Sequence, residues 1–194
     1  MRGLKMMTKM ETTSDIETLQ TAIRAQWRSA PSDKAKRYVG RFHEATRIGS
    51  KIVAKVEGNH GTYVASIEST AGQVSSGCSC YIGKGGFCHH CEALAHTFLR
   101  DPSAFREVQP TAREAIRSLA DLQAYLQGVT LETLLAELKA NGITQSAFAA
   151  SIGMNTRHLS TVKSSELRNH FYYELGATKL ACLWVLEHLA QKKA

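Results

Sequence analysis

The sequence predicts an α+β protein, in which a small β-sheet-and-helix module is followed by an all-α half. Three observations predict it. Short β-branched and aromatic runs lie between residues 51 and 80. Apolar residues recur at helical spacing near the N-terminus and again after Pro110. Four of the five cysteines lie within residues 77–91, between the last of the β-type runs and the next helical pattern.

The N-terminal segment predicts two helices. Residues 1–12 are expected to be disordered. Ser14-x-x-Glu17 is a capping-box pattern, and apolar residues recur at helical spacing from there: Ile16, Leu19, Ile23 and Trp27. We expect Pro31 to end this helix and residues 32–46 to form a second one.

A β-hairpin is expected next. The runs "KIVAKVEG" (51–58) and "TYVASIE" (62–68) are separated by Asn-His-Gly, which is typical of a turn. Residues 72–80 can supply a third strand. Residues 88–99 have the apolar spacing of a helix, whose inward residues are expected to be Ala93, Leu94, Phe98 and Leu99. The strands, a glycine-rich loop and this helix form one module.

The rest of the chain is predicted to be helical. Helices are expected over residues 111–126, 131–140 and 178–191, with two short ones between the last two, in "TQSAFAASIG" and "NTRHLSTVKSS". We therefore expect four segments: a basic N-terminal segment (1–35), the cysteine-bearing module (36–102), a connecting helix (103–129) and a helical domain (130–194).

The net charge of +7 is concentrated near the N-terminus. Residues 1–57 carry 12 Lys and Arg against 6 Asp and Glu, residues 58–102 carry 2 against 3, and residues 103–194 carry 10 against 8. A basic segment suits a nucleic-acid partner, although many basic proteins bind none. No apolar run is long enough for a membrane span, and no signal-peptide pattern is present. We expect a cytoplasmic, DNA-associated protein with reduced thiols and without a membrane or small-molecule partner.

The stretch "GCSCYIGKGGFCHHC" (77–91) has the composition of a metal site. Cys78 and Cys80 alternate on a predicted strand, so both thiolates face the same side. Cys88 and His90 repeat that spacing where a helix begins, and three glycines between the two pairs let the chain turn back. A structural zinc ion takes four such sulfur and nitrogen ligands and leaves no open position.

This C-x-C-x7-C-x-H pattern, with "GTYVASIE" before it and "CEALAH" after it, resembles the SWIM zinc finger over residues 36–100. The resemblance implies a module that binds DNA or protein. It also implies one structural zinc ion, bound by Cys78, Cys80, Cys88 and His90. His89 and Cys91 are two further candidate donors that the SWIM pattern does not contain. Cys88 with Cys91 would make the common C-x-x-C spacing. The fourth ligand therefore stays open between His90, His89 and Cys91.

Other roles for these cysteines fit the sequence less well. Four thiols beside two histidines within fifteen residues are unusual for a purely apolar core. A redox pair at Cys88 and Cys91 lacks a surrounding βαβ pattern, and a catalytic Cys–His pair lacks an orienting third group. We therefore expect no enzymatic activity. Cys182 lies on an apolar helix face and is expected in the core.

The stretch "QSAFAASIGMNTRHLSTV" predicts two short helices joined by a tight turn. Ala149 is small where a crossing helix would approach, and Gly153 suits a left-handed turn residue. Asn155 or Thr156 can cap the second helix. The residues expected in the surrounding core are Leu131, Leu134, Leu135, Leu138, Phe148, Ile152, Leu159 and Val162.

Such a pair fits a helix-turn-helix and, over residues 130–190, resembles the Cro and lambda-repressor group. The resemblance implies that the second helix enters the DNA major groove and places five residues at base edges: Asn155, Thr156, Arg157, Ser160 and Thr161. Arg157 can contact guanine, and Asn155 adenine, through two hydrogen bonds each. An ordinary helical hairpin is the alternative, because residues 131–165 carry a net charge of only +1.

The sequence thus predicts a zinc-stabilised DNA-binding protein, either a transcriptional regulator or an accessory factor acting on DNA. The alternative is an adaptor that binds another protein or a second copy of itself. The C-terminal stretch favours the adaptor, because it has more apolar residues than one small helix needs: Leu175, Leu180, Leu183, Trp184 and Leu186.

Overall fold

The protein has an α+β fold, as predicted, with a five-stranded mixed sheet and helices. The computed structural model describes residues 3–85, 87–166 and 171–191. The chain forms two compact units, one ending at Gln109 and the other beginning at Pro110. The finer division into four segments stays a prediction. None of the helices in the described residues is long and apolar enough to cross a membrane.

The first unit contains the sheet and three helices in its described part. In chain order its elements are α1 (Gly3–Gln26), α2 (Asp33–Lys36), β1 (His43–Ile48), β2 (Lys51–Gly58), β3 (Gly61–Thr70), β4 (Gln73–Cys78), α3 (His89–Arg100) and β5 (Arg106–Glu107). The strand order is β4-β3-β2-β1-β5. All neighbouring strands are antiparallel except β1 and β5, which are parallel.

The predicted hairpin, third strand and following helix are confirmed as β2, β3, β4 and α3. The N-terminal half differs from its prediction. The helix α1 extends back to Gly3, over most of the segment expected to be disordered, and ends at Gln26, before Pro31. The predicted helix over residues 32–46 is wrong, because only Asp33–Lys36 is helical and Gly40 has a φ of 78°. A left-handed residue interrupts a helix, and the chain then enters β1.

One apolar core joins the sheet to α1 and α3. Both helices contribute fully buried residues from one stripe, as their apolar spacing predicts: Leu19 and Ile23 from α1, and Leu94 and Phe98 from α3. Each such side chain stabilises the fold by about 1.5–3 kcal/mol. The same core contains Cys78, Cys80 and Cys91, so the cysteine cluster lies inside the unit.

The described part of the second unit is helical. Its helices are α4 (Leu119–Gly128), α5 (Leu131–Ala140), α6 (Gln145–Ser151), α7 (Thr156–Ser164) and α8 (Tyr172–Gln191). The helix predicted over residues 111–126 begins later than expected, because Ser118 accepts a hydrogen bond from the Asp121 backbone N–H and caps α4 there. Before this cap, only Arg113–Ala115 forms a short 3₁₀ turn.

Short polar side chains define the ends of the other helices in this unit. Thr130 caps α5, Thr144 caps α6 and Asn155 caps α7. Gly153, between α6 and α7, has a φ of 68°, which confirms the left-handed turn expected there. The predicted core residues are buried in one cluster, with Ile152 partly buried at its edge.

Candidate metal centre

The end of the β3–β4 hairpin positions the first two cysteines. Cys78 is paired with Ala65 across the ladder. Ser79 continues the pairing, because its backbone N–H donates to the Val64 carbonyl (3.0 Å) and its Oγ accepts from the Val64 N–H (2.9 Å). The alternation of a strand therefore persists to Cys80, and both thiols are buried in the same core.

A tight loop follows Cys80 and depends on a glycine. Residues Ile82–Gly85 form a 3₁₀ turn, and the Gly83 N–H donates to Sγ of Cys80 at 3.1 Å. A methyl group on Gly83 would lie 2.7 Å from Cβ of Cys78 and closer still to its carbonyl oxygen. The absence of a side chain at Gly83 therefore lets the loop pack directly on the strand that carries the cysteines.

The start of α3 positions the second pair of donors. Cys88 is the N-cap residue, with an extended φ of −142°, and His90 lies in the first helical turn. Nδ1 of His90 is 3.7 Å from Sγ of Cys78 and 3.9 Å from Sγ of Cys88. With Cys80 included, one ligand atom from each of the four residues lies within 4.8 Å of every other.

This arrangement fits a metal ion. An ion with tetrahedral ligands, at about 2.3 Å from sulfur and about 2.0–2.1 Å from nitrogen, holds a sulfur and a nitrogen about 3.5–3.6 Å apart. The two sulfur–nitrogen distances of 3.7 and 3.9 Å are slightly longer, so a small movement of the side chains would bring these atoms to an ion. The four residues predicted as ligands are therefore the group that the structure brings together for metal binding.

The two extra donors lie beside this group rather than within it. Cys91 is buried, with its Sγ 3.7 Å from Sγ of Cys88. His89 is partly exposed, and its ring stacks on Tyr38 with a centroid distance of 5.5 Å and an interplanar angle of 24°. Neither belongs to the set in which all ligand atoms approach one another within 4.8 Å.

The aromatic surroundings of His90 orient its ring. Tyr38 contacts the imidazole edge-on, and Tyr63 packs against it with a centroid distance of 4.9 Å. Its Nε2 atom is buried and has no hydrogen-bond partner among the described residues. Since Nδ1 faces the sulfurs, Nδ1 is the atom that would coordinate an ion, while Nε2 lies among the rings.

The thiols of the cluster do not ionise equally. Hydrogen bonds from Cys78, and then from Cys91, lower the pKa of the Cys88 thiol. The same hydrogen bonds to Cys88, together with burial, raise the pKa of Cys78 and Cys91. Burial is the main cause that raises the pKa of Cys80. Because a metal binds thiolates, metal binding here displaces protons from the cysteines.

The residues predicted to contact DNA lie at the start of α7, and all five are exposed: Asn155, Thr156, Arg157, Ser160 and Thr161. Three of their side chains make local hydrogen bonds. Oδ1 of Asn155 accepts from the Arg157 N–H at 2.8 Å, so it is engaged as the helix cap. Thr161 donates to the Arg157 carbonyl, and Ser160 accepts from the Gln145 side chain at 2.8 Å.

Arg157 is different from its neighbours. Its guanidinium makes no ion pair or side-chain hydrogen bond with any residue that the structure describes. The hydrogen bond between Gln145 and Ser160 ties the start of α6 to the solvent side of α7. This bridge has no local signal in the sequence, because its two polar residues are fifteen positions apart.

Comparison of the chain with protein families, curated proteins and solved structures gave no match. The resemblances to the SWIM zinc finger and to the Cro and lambda-repressor group stay predictions.

Proposed function

We propose that the protein is a zinc-stabilised DNA-binding protein, acting as a transcriptional regulator or an accessory factor in DNA transactions. The metal is zinc in this proposal, because three thiolates and one imidazole in a closed four-donor set are the ligands of structural zinc. In that role the ion links the end of β4 to the start of α3 and leaves no open position for a substrate.

The observation that carries DNA binding is the exposed start of α7. Its apolar face is fixed by buried Leu159 and Val162, and its other face presents an arginine with no partner in the described part of the chain. A guanidinium held on a rigid helix is the side chain best suited to two hydrogen bonds with guanine. The net charge of +7 adds attraction to phosphates that does not depend on sequence.

Selection of bound sequences from random duplex DNA tests this function. We expect enrichment of a short guanine-containing motif and affinity that falls steeply as salt is raised, because phosphate contacts release counterions. Repeating the selection with a chelator, which would remove the metal from the first unit, tests whether that unit is needed for DNA binding by the second. An absence of any DNA binding at low salt would reject the proposal.

A specific observation favours the adaptor as the second candidate. Of the five apolar residues predicted to be in excess on the C-terminal helix, Leu175, Leu183 and Leu186 are buried, whereas Leu180 is 46% and Trp184 61% exposed. Trp184 also borders an apolar cleft of about 520 Å³ between α6 and α8. Exposed tryptophan beside an apolar cleft is typical of a protein-binding surface. A Trp184→Ala variant that loses partner capture or self-association while keeping DNA binding would support this function.

A further inference from the structure

A second surface of interest lies in the first unit, where the segment after α1 packs against the start of α3. Ser32 fixes this packing, because its backbone N–H and its Oγ each donate to the Glu92 carboxylate at 2.7 Å. The contact joins two segments sixty residues apart. The exposed or half-buried rings and two of the cations of these segments are what we call the aromatic–basic face: Trp27, Lys34, Arg37, Tyr38, Phe87 and His89.

Two pairs of aromatic rings lie on this face. Trp27 and Phe87 have a centroid distance of 6.4 Å, and Tyr38 stacks on His89 at 5.5 Å. Phe87 is 56% exposed and makes no contribution to the buried core. The other three rings are partly exposed. The Phe87 ring, beside that of Trp27, therefore leaves apolar aromatic surface open to a ligand.

The charges around these rings are mainly positive. The exposed basic residues between α1 and β1 are Arg28, Lys34, Lys36, Arg37 and Arg41. Asp33 is paired with Lys36 at 2.9 Å, and the Glu92 carboxylate is held by Ser32. Lys34 and Arg37 form no ion pair among the described residues, although the exposed Asp33, already paired with Lys36, interacts with Arg37 at longer range. Lys34 is close enough to act electrostatically on the His89 ring. Two cations are therefore available beside the exposed rings.

We propose that the aromatic–basic face binds single-stranded nucleic acid, with bases stacked on the exposed rings and phosphates held by Lys34 and Arg37. Aromatic rings interleaved with cations are the chemistry by which proteins hold single strands. The rings cannot act in the same way on duplex DNA, because its bases are already stacked on one another and present only their edges. This site is separate from the duplex site proposed on α7.

Fluorescence anisotropy with labelled fifteen-nucleotide dT and rU strands tests the proposal, using the full-length protein as purified. We expect both strands to bind more tightly than a DNA hairpin of equal charge. Phe87→Ala should weaken strand binding by about tenfold or more, the cost of losing one stacked base. Replacing both Lys34 and Arg37 by Ala should reduce the slope of log K against log salt by about 1.4, since each phosphate contact on a single strand contributes about 0.7.

Control variants test whether the loss of strand binding is specific to the aromatic–basic face. Tyr173→Ala removes an exposed aromatic ring of the second unit, and Arg106→Ala removes an exposed cation of the first unit that lies on β5. Neither should change strand binding, and Arg157→Ala should not change it either. Tight binding of a poly-glutamate peptide with no preference for single strands would instead identify a protein-docking surface and overturn the proposal. Equal binding of Phe87→Ala and the unaltered protein would also overturn it.

Discussion

Nδ1 of His90 lies 3.7 Å from Sγ of Cys78, although the two residues are 12 positions apart in the chain. One belongs to the first turn of α3 and the other ends β4. An ion held between them would join the sheet to the helix that covers it. Because that helix packs into the only apolar core described for the first unit, loss of the ion is expected to affect the whole unit.

We expect His90→Ala to lose metal and His89→Ala to retain about one equivalent. The physical reason is that Nδ1 of His90 faces the sulfurs, whereas the His89 ring stacks on Tyr38. Metal content of the purified variants, measured by elemental mass spectrometry, checks this. Cys91→Ala serves as a further comparison and is expected to keep its metal, because Cys91 lies outside the four-donor group. The reverse pattern would identify His89 or Cys91 as the fourth ligand.

Removal of the metal should unfold the first unit while the second stays largely formed. Structural zinc sites contribute about 10–16 kcal/mol of binding energy in small fingers, which exceeds the stability of most small units. The three cysteine donors lie in the first core or pack against it, and none of the four donors belongs to the second. Hydrogen exchange should accelerate in β2 and β3 when a chelator is added, and α5 should keep its protection. Unchanged exchange in β2 and β3 would show that the metal does not hold the sheet.

Gly83→Ala should weaken metal binding more than a glycine substitution elsewhere. The added methyl group would overlap Cys78, so either the loop or a ligand must move. A shift of the loop also breaks the N–H···S hydrogen bond from Gly83 to Cys80. Competition with a metal-binding dye measures the change. Gly128→Ala is the matched control, because nothing lies within 4 Å of a methyl group at that position, and its metal affinity should be unaltered.

Local patterns predicted the metal donors and most of the helices. Alternation on a strand placed Cys78 beside Cys80, and the helix predicted over residues 131–140 is α5 with those bounds. These features depend on neighbours within four residues, which the sequence displays directly. The strand β1 was missed because its residues look helical in isolation, and its pairing with β2 is decided by a partner across a turn at Gly49.

Interactions between distant segments had no local signal. The two-residue strand β5 is defined by its pairing with Thr46 and Arg47, and the buried Arg47 forms an ion pair with Glu107 at 3.1 Å. In the second unit, Lys179 donates to the carbonyls of Leu126 and Val129 and forms an ion pair with Glu166 at 2.6 Å. When a lysine occupies an otherwise apolar position of a helix, the sequence does not show which distant residues it will contact.

Lys179→Ala should destabilise the second unit by about 3 kcal/mol, because it leaves the mostly buried Glu166 carboxylate without its cation, although the Leu131 N–H still donates to it. The side chains of Lys179 and Glu166 are only 6% and 14% exposed. Urea denaturation followed by Trp184 fluorescence reports on this unit when Trp27, the tryptophan of the first unit, is replaced by Phe in every variant. Lys139→Ala, at an exposed position of α5, should leave the midpoint unchanged. Equal urea midpoints for the two variants would mean that the ion pair of Lys179 with Glu166 contributes little to the stability of the second unit.

Arg157→Ala is expected to cost about 1–3 kcal/mol of binding at a preferred duplex site and to relax sequence preference at one base position. Arg157 is a better test than Asn155, because Asn155 caps α7 and its loss would weaken the helix by about 0.5–2 kcal/mol whatever its role on DNA. Replacing Lys36 and Arg37 should instead weaken binding to all sequences and flatten the salt dependence, as loss of phosphate contacts does. Binding to selected and scrambled duplexes over a range of salt distinguishes these effects. If Arg157→Ala changes neither affinity nor preference while the Lys36 and Arg37 changes abolish both, the duplex contact belongs to the first unit and not to α7.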